Sequence, residues 1–460
     1  MSKLSINNEL YSAAAGIYST NSLFARFDSM SDLRIDEGDP SPGALPTHIH
    51  EYVHYLHNIS TTSGIKIIQL SHAVICSASL FLIKGTDGID TNINELSNGK
   101  DIKSFIDEMN YLYGETIEID HWGSKKQNEW EFGELSTYTP NTKTDFFSYK
   151  IKIAKKSPKN VSVILKIGLN FITEGVAYEV EREVFKEGGG LQKDLDSQTP
   201  GLPYLAYEHL VNYIVRRETT AVERIKIGNT ALMHPSPSQG FVDACRELSK
   251  GASELDLYNK KMIGFFKLFL ESELFDVLQK YYSHTHKLLE PFKQYVSIIK
   301  STSEKRVIHP HLELIFVGKN TTGKKMNPSC FLSLSSNIAE HCIIQEKIGS
   351  KATIHMVGNR TSLAAKDENE VTWFYVLCAA IHFIQQHLKT DGTVEKTDSI
   401  KKKNCPFSGA CEVEISNGHP QECKEYPWRV TQKVENGACW YSAGVKSITP
   451  ASVQNSQHKI

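Results

Sequence analysis

Positions 50 to 54 read His-Glu-Tyr-Val-His, within the stretch THIHEYVHYLHN that runs from Thr47 to Asn58. This stretch dictates a helix more firmly than any other part of the chain dictates its structure. Ile49, Val53 and Leu56 recur at i, i+4 and i+7, an apolar stripe of helical period. Before them, DEGDPSPGALP is dense in Pro and Gly, which stop regular structure; after them, STTSG at 60–64 closes the segment. A second apolar segment follows near Ile65 to Ile83, interrupted by Lys66, Gln69, Ser71 and His72, which argues for a buried helix and against a membrane span. The two segments together predict a helical hairpin.

Elsewhere the pattern is mixed. SLFARFDSM predicts a strand near the start, and EWEFGEL and FFSYKIKI predict short strands in a polar stretch over 85–160. Helical periodicity marks 168–185, 204–226, 254–300 and 362–388, while VIHPHLELIFVG at 307–318 reads as a strand. The expected fold is α+β and predominantly α. Its parts are a domain over 1–300 with a β-containing insert at 85–160, an α/β region over 301–389, a polar linker at 390–404 and a Cys-rich module over 405–460. With 460 residues and 40% hydrophobic content, a substantial core is available.

The 51 Lys and Arg against 53 Asp and Glu create no global field to recruit nucleic acid or an anionic membrane. The N-terminus lacks the basic and apolar regions of a secretory signal. Of nine cysteines, five are scattered singly, as expected of reduced thiols rather than a disulfide framework. The expected location is cytoplasmic, with no membrane partner, nucleic acid disfavoured and the oligomeric state left open.

His50 and His54, four apart, share one helical face with about 5–6 Å between their Cβ atoms. Two imidazoles so placed can grip one ion, and neutral imidazole nitrogens suit zinc at about 2.0–2.1 Å. Glu51 is displaced from that stripe but within reach of a metal-bound water, as a general base should be. His48 and His57 are expected to be packed or supporting histidines.

A catalytic zinc takes three protein ligands, so a third is required. The metzincin pattern would need Gly at position 57 and His at 60, where this chain has His57 and Ser60. Peptide deformylases also resemble this helix but use an upstream cysteine, and none precedes Cys76. Thr173-Glu174-Gly175-Val176-Ala177 resembles the N-E-G-F-A segment of aminopeptidase-N-like gluzincins. That resemblance spans only the two metal-binding helices, and the separation of about 120 residues exceeds that of those enzymes. It implies Glu174 as third ligand, Zn2+ as cofactor and a gluzincin-like metallopeptidase core. Glu179, Glu181 and Glu183 remain competitors, Glu181 most of all because it shares the face of Glu174. Gly175 and Ala177 are small enough to let this helix approach the first closely. Thermolysin-like enzymes orient a zinc histidine with an aspartate four residues beyond the glutamate; here that position is Tyr178, so the support of the imidazoles is open. For the developing oxyanion, Tyr207 and His209 are the named donors, with Tyr204, Tyr213 and His234 as further candidates.

Cys405, Cys411, Cys423 and Cys439 fall after the linker, with five, eleven and fifteen residues between them. Four thiolates suit a second, structural Zn2+ or an iron-sulfur cluster. The function this predicts is zinc-dependent hydrolysis of a peptide bond in an intracellular protein target. Two alternatives are a catalytically silent zinc scaffold that binds a partner, and a nucleic-acid-binding regulator acting through the cysteine tail.

Overall fold

The computed structural model describes residues 15–33, 41–79, 99–114, 130–139, 147–155, 162–272, 274–282, 286–318, 325–347, 350–358, 368–389, 395–400, 404–411, 420–432 and 439–448. The described chain is mainly helical with a smaller strand content. Among the described residues no helix is long and apolar enough to cross a membrane.

Strands β1 (Gly16–Tyr18) and β2 (Phe24–Phe27) precede the helical hairpin of α1 (Ala44–Ser60) and α2 (Thr62–Ser79). The predicted stripe of α1 is fully buried at Ile49, Val53 and Leu56. The helix ends where Thr61 turns extended, its hydroxyl accepting from Gly64 N–H at 3.1 Å. Helix α3 (Gly99–Tyr113) comes next, then β3 (Trp130–Phe132), β4 (Ser136–Tyr138), β5 (Ser148–Lys155) and β6 (Ser162–Lys166). β5 pairs antiparallel with β3, β4 and β6 in a small sheet, in keeping with strands expected at EWEFGEL and FFSYKIKI. The helix α3 within this polar stretch was not foreseen, although Ile102, Ile106 and Met109 repeat at helical period and are buried.

Helices α4 (Leu169–Glu187), α5 (Gln192–Gln198), α6 (Ala206–Val215), α7 (Ala221–Leu232), α8 (Pro237–Lys250), α9 (Ala252–Leu270), α10 (Leu274–Tyr282) and α11 (His286–Ile308) follow. The strand expected at 307–318 is absent: α11 runs to Ile308 and Leu312–Phe316 forms a 3-10 turn. Pro310 stops the helix, and Glu313 folds back to meet Arg306 through two bonds of 2.6 and 2.7 Å. A fully buried carboxylate facing a fully buried guanidinium cannot be abandoned for an extended ladder without leaving both charges unpaired.

After α12 (Pro328–Ile338), β7 (His341–Lys347) and β8 (Ser350–Val357) complete a second sheet of order β1-β2-β7-β8. β2 runs parallel to β7, with Phe24 opposite Cys342 and Phe27 opposite Gln345, so this sheet joins residues on both sides of position 300. Helix α13 (Glu368–His387), the short α14 (Pro420–Glu425) and α15 (Trp440–Ile448) end the described chain. In the stretch expected to be a linker, residues 395–400 are tied down. Glu395 N–H donates to the His387 carbonyl at 2.7 Å, and Ile400 is buried.

Candidate metal centre

α1 and α4 lie side by side, and the faces they share carry the chemistry. Two buried networks hold them. Glu179 of α4 receives Arg224 of α7 at 2.7 Å and Arg182 at 3.3 Å, and Arg182 also reaches Asp196 of α5 and Glu208 of α6. At the far end of α1, Arg306 donates to Ser60 Oγ as well as to Glu313. Asn229 of α7 donates to Glu313 at 2.5 Å and meets His57 Nε2 at 3.1 Å. Leaving one such buried charge unpaired costs several kcal/mol, so these networks fix the helices against sliding.

The expected close approach of α4 to α1 through Gly175 is a correction. A Cβ at Gly175 would collide with the ring of Tyr207, so this glycine admits α6 rather than α1.

His50 and His54 point their Nε2 atoms at one another, 3.0 Å apart. Glu174 Oε2 lies 3.2 Å from His54 Nε2 and 3.5 Å from His50 Nε2. One ligand atom from each of the three residues falls within 4.8 Å of the others. Glu174 Oε2 is buried yet makes no bond of hydrogen-bonding geometry, despite its closeness to both rings. An acceptor oriented this way, toward a point shared by two imidazole nitrogens, fits a cation better than it fits either ring.

The competitor Glu181 has a different task. Its Oε2 accepts from His50 Nδ1 at 2.7 Å, which directs the Nε2 lone pair of His50 into the cluster. This answers the question raised by Tyr178, whose hydroxyl instead donates to Asp196 at 2.6 Å. The signal was present in the sequence as the seven-residue spacing of Glu174 and Glu181. Which of the two would touch the ion and which the ring depended on helix register.

Glu51, one position beyond His50, is buried and accepts from the backbone N–H of Tyr18 at 2.7 Å. Sequence reasoning had no access to this partner, because a backbone donor on β1 carries no residue signature. Burial pushes the Glu51 carboxyl above its usual value, Glu174 adds to the rise, and His50 and His54 oppose it. Burial alone would lower His50, but Glu181 and then Glu174 raise it well above the usual imidazole value. Glu174 would be raised by burial, but His54 and His50 hold it well below the carboxylate range. Three carboxylates thus surround two imidazoles, while Arg182 and Arg224 are engaged by Glu179, Asp196 and Glu208. Such a cluster requires added positive charge, either as protons on the rings or as a metal ion.

Comparison with known proteins returns nothing. No family model, characterised protein or solved structure matches this chain.

The remaining expected residues are dispersed. Tyr207 is fully buried and its hydroxyl donates to the Arg224 carbonyl at 2.9 Å. His209 packs against Trp130 with ring centroids 5.6 Å apart, and burial lowers its pKa. Neither is brought to the cluster. Tyr213 donates to the Gly133 carbonyl, and His234 is bonded to Ser236. Tyr204 is the aromatic that reaches the cluster, its ring centroid 6.0 Å from that of His50. His48 stacks on Phe27 at 3.6 Å and is held neutral, its pKa lowered to about 3 by burial. His48 and His57 are packed histidines, as expected.

Proposed function

We propose that the chain is a zinc-dependent metallopeptidase, with α1 and α4 serving as the two metal-binding helices of a gluzincin-like core. The observation that carries this reading is the convergence of His50, His54 and Glu174 within 4.8 Å, with Glu51 adjoining on the same helix. His50 and His54 would hold zinc through Nε2 and Glu174 through Oε2, leaving a fourth position for water or substrate. Bound zinc would supply Lewis acidity and lower the pKa of its water to about 7.

The chain's own residues would do the rest. Glu51 accepts the proton of the attacking water and delivers it to the departing amine. The Tyr18 N–H holds that carboxylate in place. Glu181 keeps His50 in the tautomer that presents Nε2. Of the candidate donors for a developing oxyanion, Tyr204 is the one whose ring packs near His50, and it would take that role. The target would be a protein or peptide in the cytoplasm.

A second reading, a silent zinc-binding scaffold, draws on the burial of Glu51 and its bond to Tyr18, which a structural carboxylate would share. Cells expressing the wild type and Glu51→Gln, compared by sequencing of newly formed protein termini, separate the two. New termini that depend on Glu51, with equal zinc in both chains, support hydrolysis. Identical termini with equal zinc sustain the scaffold and sink the peptidase.

A further inference from the structure

The four tail cysteines take no part in that site, yet the fold gathers them. Cys405 and Cys439 are buried, Cys411 and Cys423 half-buried, and none of the four is in a disulfide. They stand on three separate pieces of backbone: the turn 404–411, α14, and the residue preceding α15.

Main-chain bonds and rings draw these pieces together. Cys405 N–H donates to the Cys423 carbonyl at 2.8 Å, joining the turn to α14. Ser408 N–H returns to the Cys405 carbonyl and Cys411 N–H to the Phe407 carbonyl, winding the turn so that its two cysteines stay near each other. Phe407, fully buried, meets Trp440 edge-on at 5.7 Å, which brings the start of α15 and adjacent Cys439 onto the same turn. Arg26 of β2 clamps the turn from the other side, donating to the carbonyls of Pro406 and Ser408 at 3.2 and 2.8 Å. A Cβ at Gly444 would come within 2.7 Å of the Val376 carbonyl oxygen, so this glycine is what lets α15 lie close against α13.

We propose that Cys405, Cys411, Cys423 and Cys439 together hold one zinc ion as four thiolates, a structural centre that fastens the tail to α13 and the β1-β2-β7-β8 sheet. Tetrathiolate coordination with every position filled by protein is the form of a structural rather than a catalytic zinc. The helices of the tail are short, six residues in α14 and nine in α15, so their order rests on packing and on any cross-link rather than on propensity. Among the described residues, His50, His54 and Glu174 are the group whose donors already converge for an ion. The tail thiols share a neighbourhood without that closure, so binding draws them in and is coupled to completing the fold of the tail. The inference stands apart from the peptidase reading.

Metal analysis of the full-length chain tests it. The wild type should carry two zinc ions, the His50→Ala/His54→Ala variant one, and the Cys411→Ser/Cys423→Ser variant one. Cobalt(II) loaded into the histidine variant should show the strong thiolate-to-cobalt absorption that a nitrogen-oxygen site lacks. Because the cysteine variant can lose its tail structure, the unaltered chain provides a second readout: alkylation of the four thiols should be blocked until zinc is chelated. Failure of the histidine site alone would leave one zinc in the wild type, retained in the histidine variant and lost in the cysteine variant. Equal alkylation with and without chelator, a native disulfide among the four, or iron with acid-labile sulfide in place of the second zinc would each overturn the proposal.

Discussion

The two donor clusters are built in opposite ways. His50, His54 and Glu174 project from two long helices whose register is locked by buried ion pairs at Glu179, Arg224, Arg306 and Glu313, and their ligand atoms converge before any ion arrives. The four tail thiols sit on a turn, on the six-residue α14 and on the residue before α15, and their donors do not converge as those of the histidine cluster do. The first arrangement spends little ordering on binding and can leave a coordination position open for chemistry. In the second, the ion itself completes the structure, which suits a closed site. On the proposed readings, the preorganised cluster would serve catalysis and the yielding one folding.

The severest attack on this contrast is His50→Ala/His54→Ala, which should abolish hydrolysis and remove the α1/α4 zinc while leaving the helices folded. Zinc analysis together with far-ultraviolet circular dichroism checks it, and a collapse of helicity would mean that the ion holds this region together too. Next in size, Glu51→Gln should lower kcat by about 10²- to 10⁴-fold with zinc content unchanged, since an amide cannot take the proton from water. Steady-state kinetics on a peptide cut by the wild type reads this directly.

Arg306→Met probes the framework of α1. It strands Glu313 in a fully buried position and should cost about 3–5 kcal/mol by chemical denaturation. In the wild type, burial would raise Glu313 but Arg306 and His57 depress it, so its contribution is complete above the unfolded carboxylate pKa of about 4.3 and fades as pH falls below that. Without Arg306, burial should raise the folded pKa instead, so the deficit of the variant should be greatest near neutrality and shrink on acidification. A deficit independent of pH would show that Arg306 acts through packing alone.

A smaller effect separates the two glutamates of α4. Glu181→Ala should weaken zinc binding by about 10- to 100-fold, the range for loss of a partner that orients a ligand, and Glu174→Ala should weaken it by more. Competition titration with a chromophoric chelator gives both values, and the reverse order would exchange their roles. Finest of all is the response to chelation: amide hydrogen exchange should quicken in α14 and α15 and stay unchanged in α1 and α4.

Much of the site was legible because it is local. A four-residue spacing on a helix places two imidazoles on one face wherever that helix goes, and the breaker residues and apolar stripe that set off α1 are written in adjacent positions. The hairpin, the strand at β2, the strands at β3 and β5 and the helix at α4 were legible for the same reason. α3 was missed because its apolar positions sit within a polar stretch that invited a sheet. The turn at 312–316 was misread because alternating apolar residues look alike in a strand and in a short turn, until the Arg306–Glu313 pair closes.

The sequence by itself therefore determined the pair of histidines, the neighbouring glutamate and the set of four late cysteines, all matters of residue type and short-range period. Only the tertiary structure decided that Glu174 faces both rings while Glu181 bonds to His50, that Tyr204 reaches the cluster while Tyr207 is committed to the Arg224 carbonyl, and that a backbone N–H of β1 secures Glu51. Glu174 and Glu181 share one helical face, so their order along it cannot distinguish them. Their roles follow from how far α4 is displaced along α1, and that displacement is set by contacts between residues far apart in sequence, such as Glu179 with Arg224 and Ser60 with Arg306.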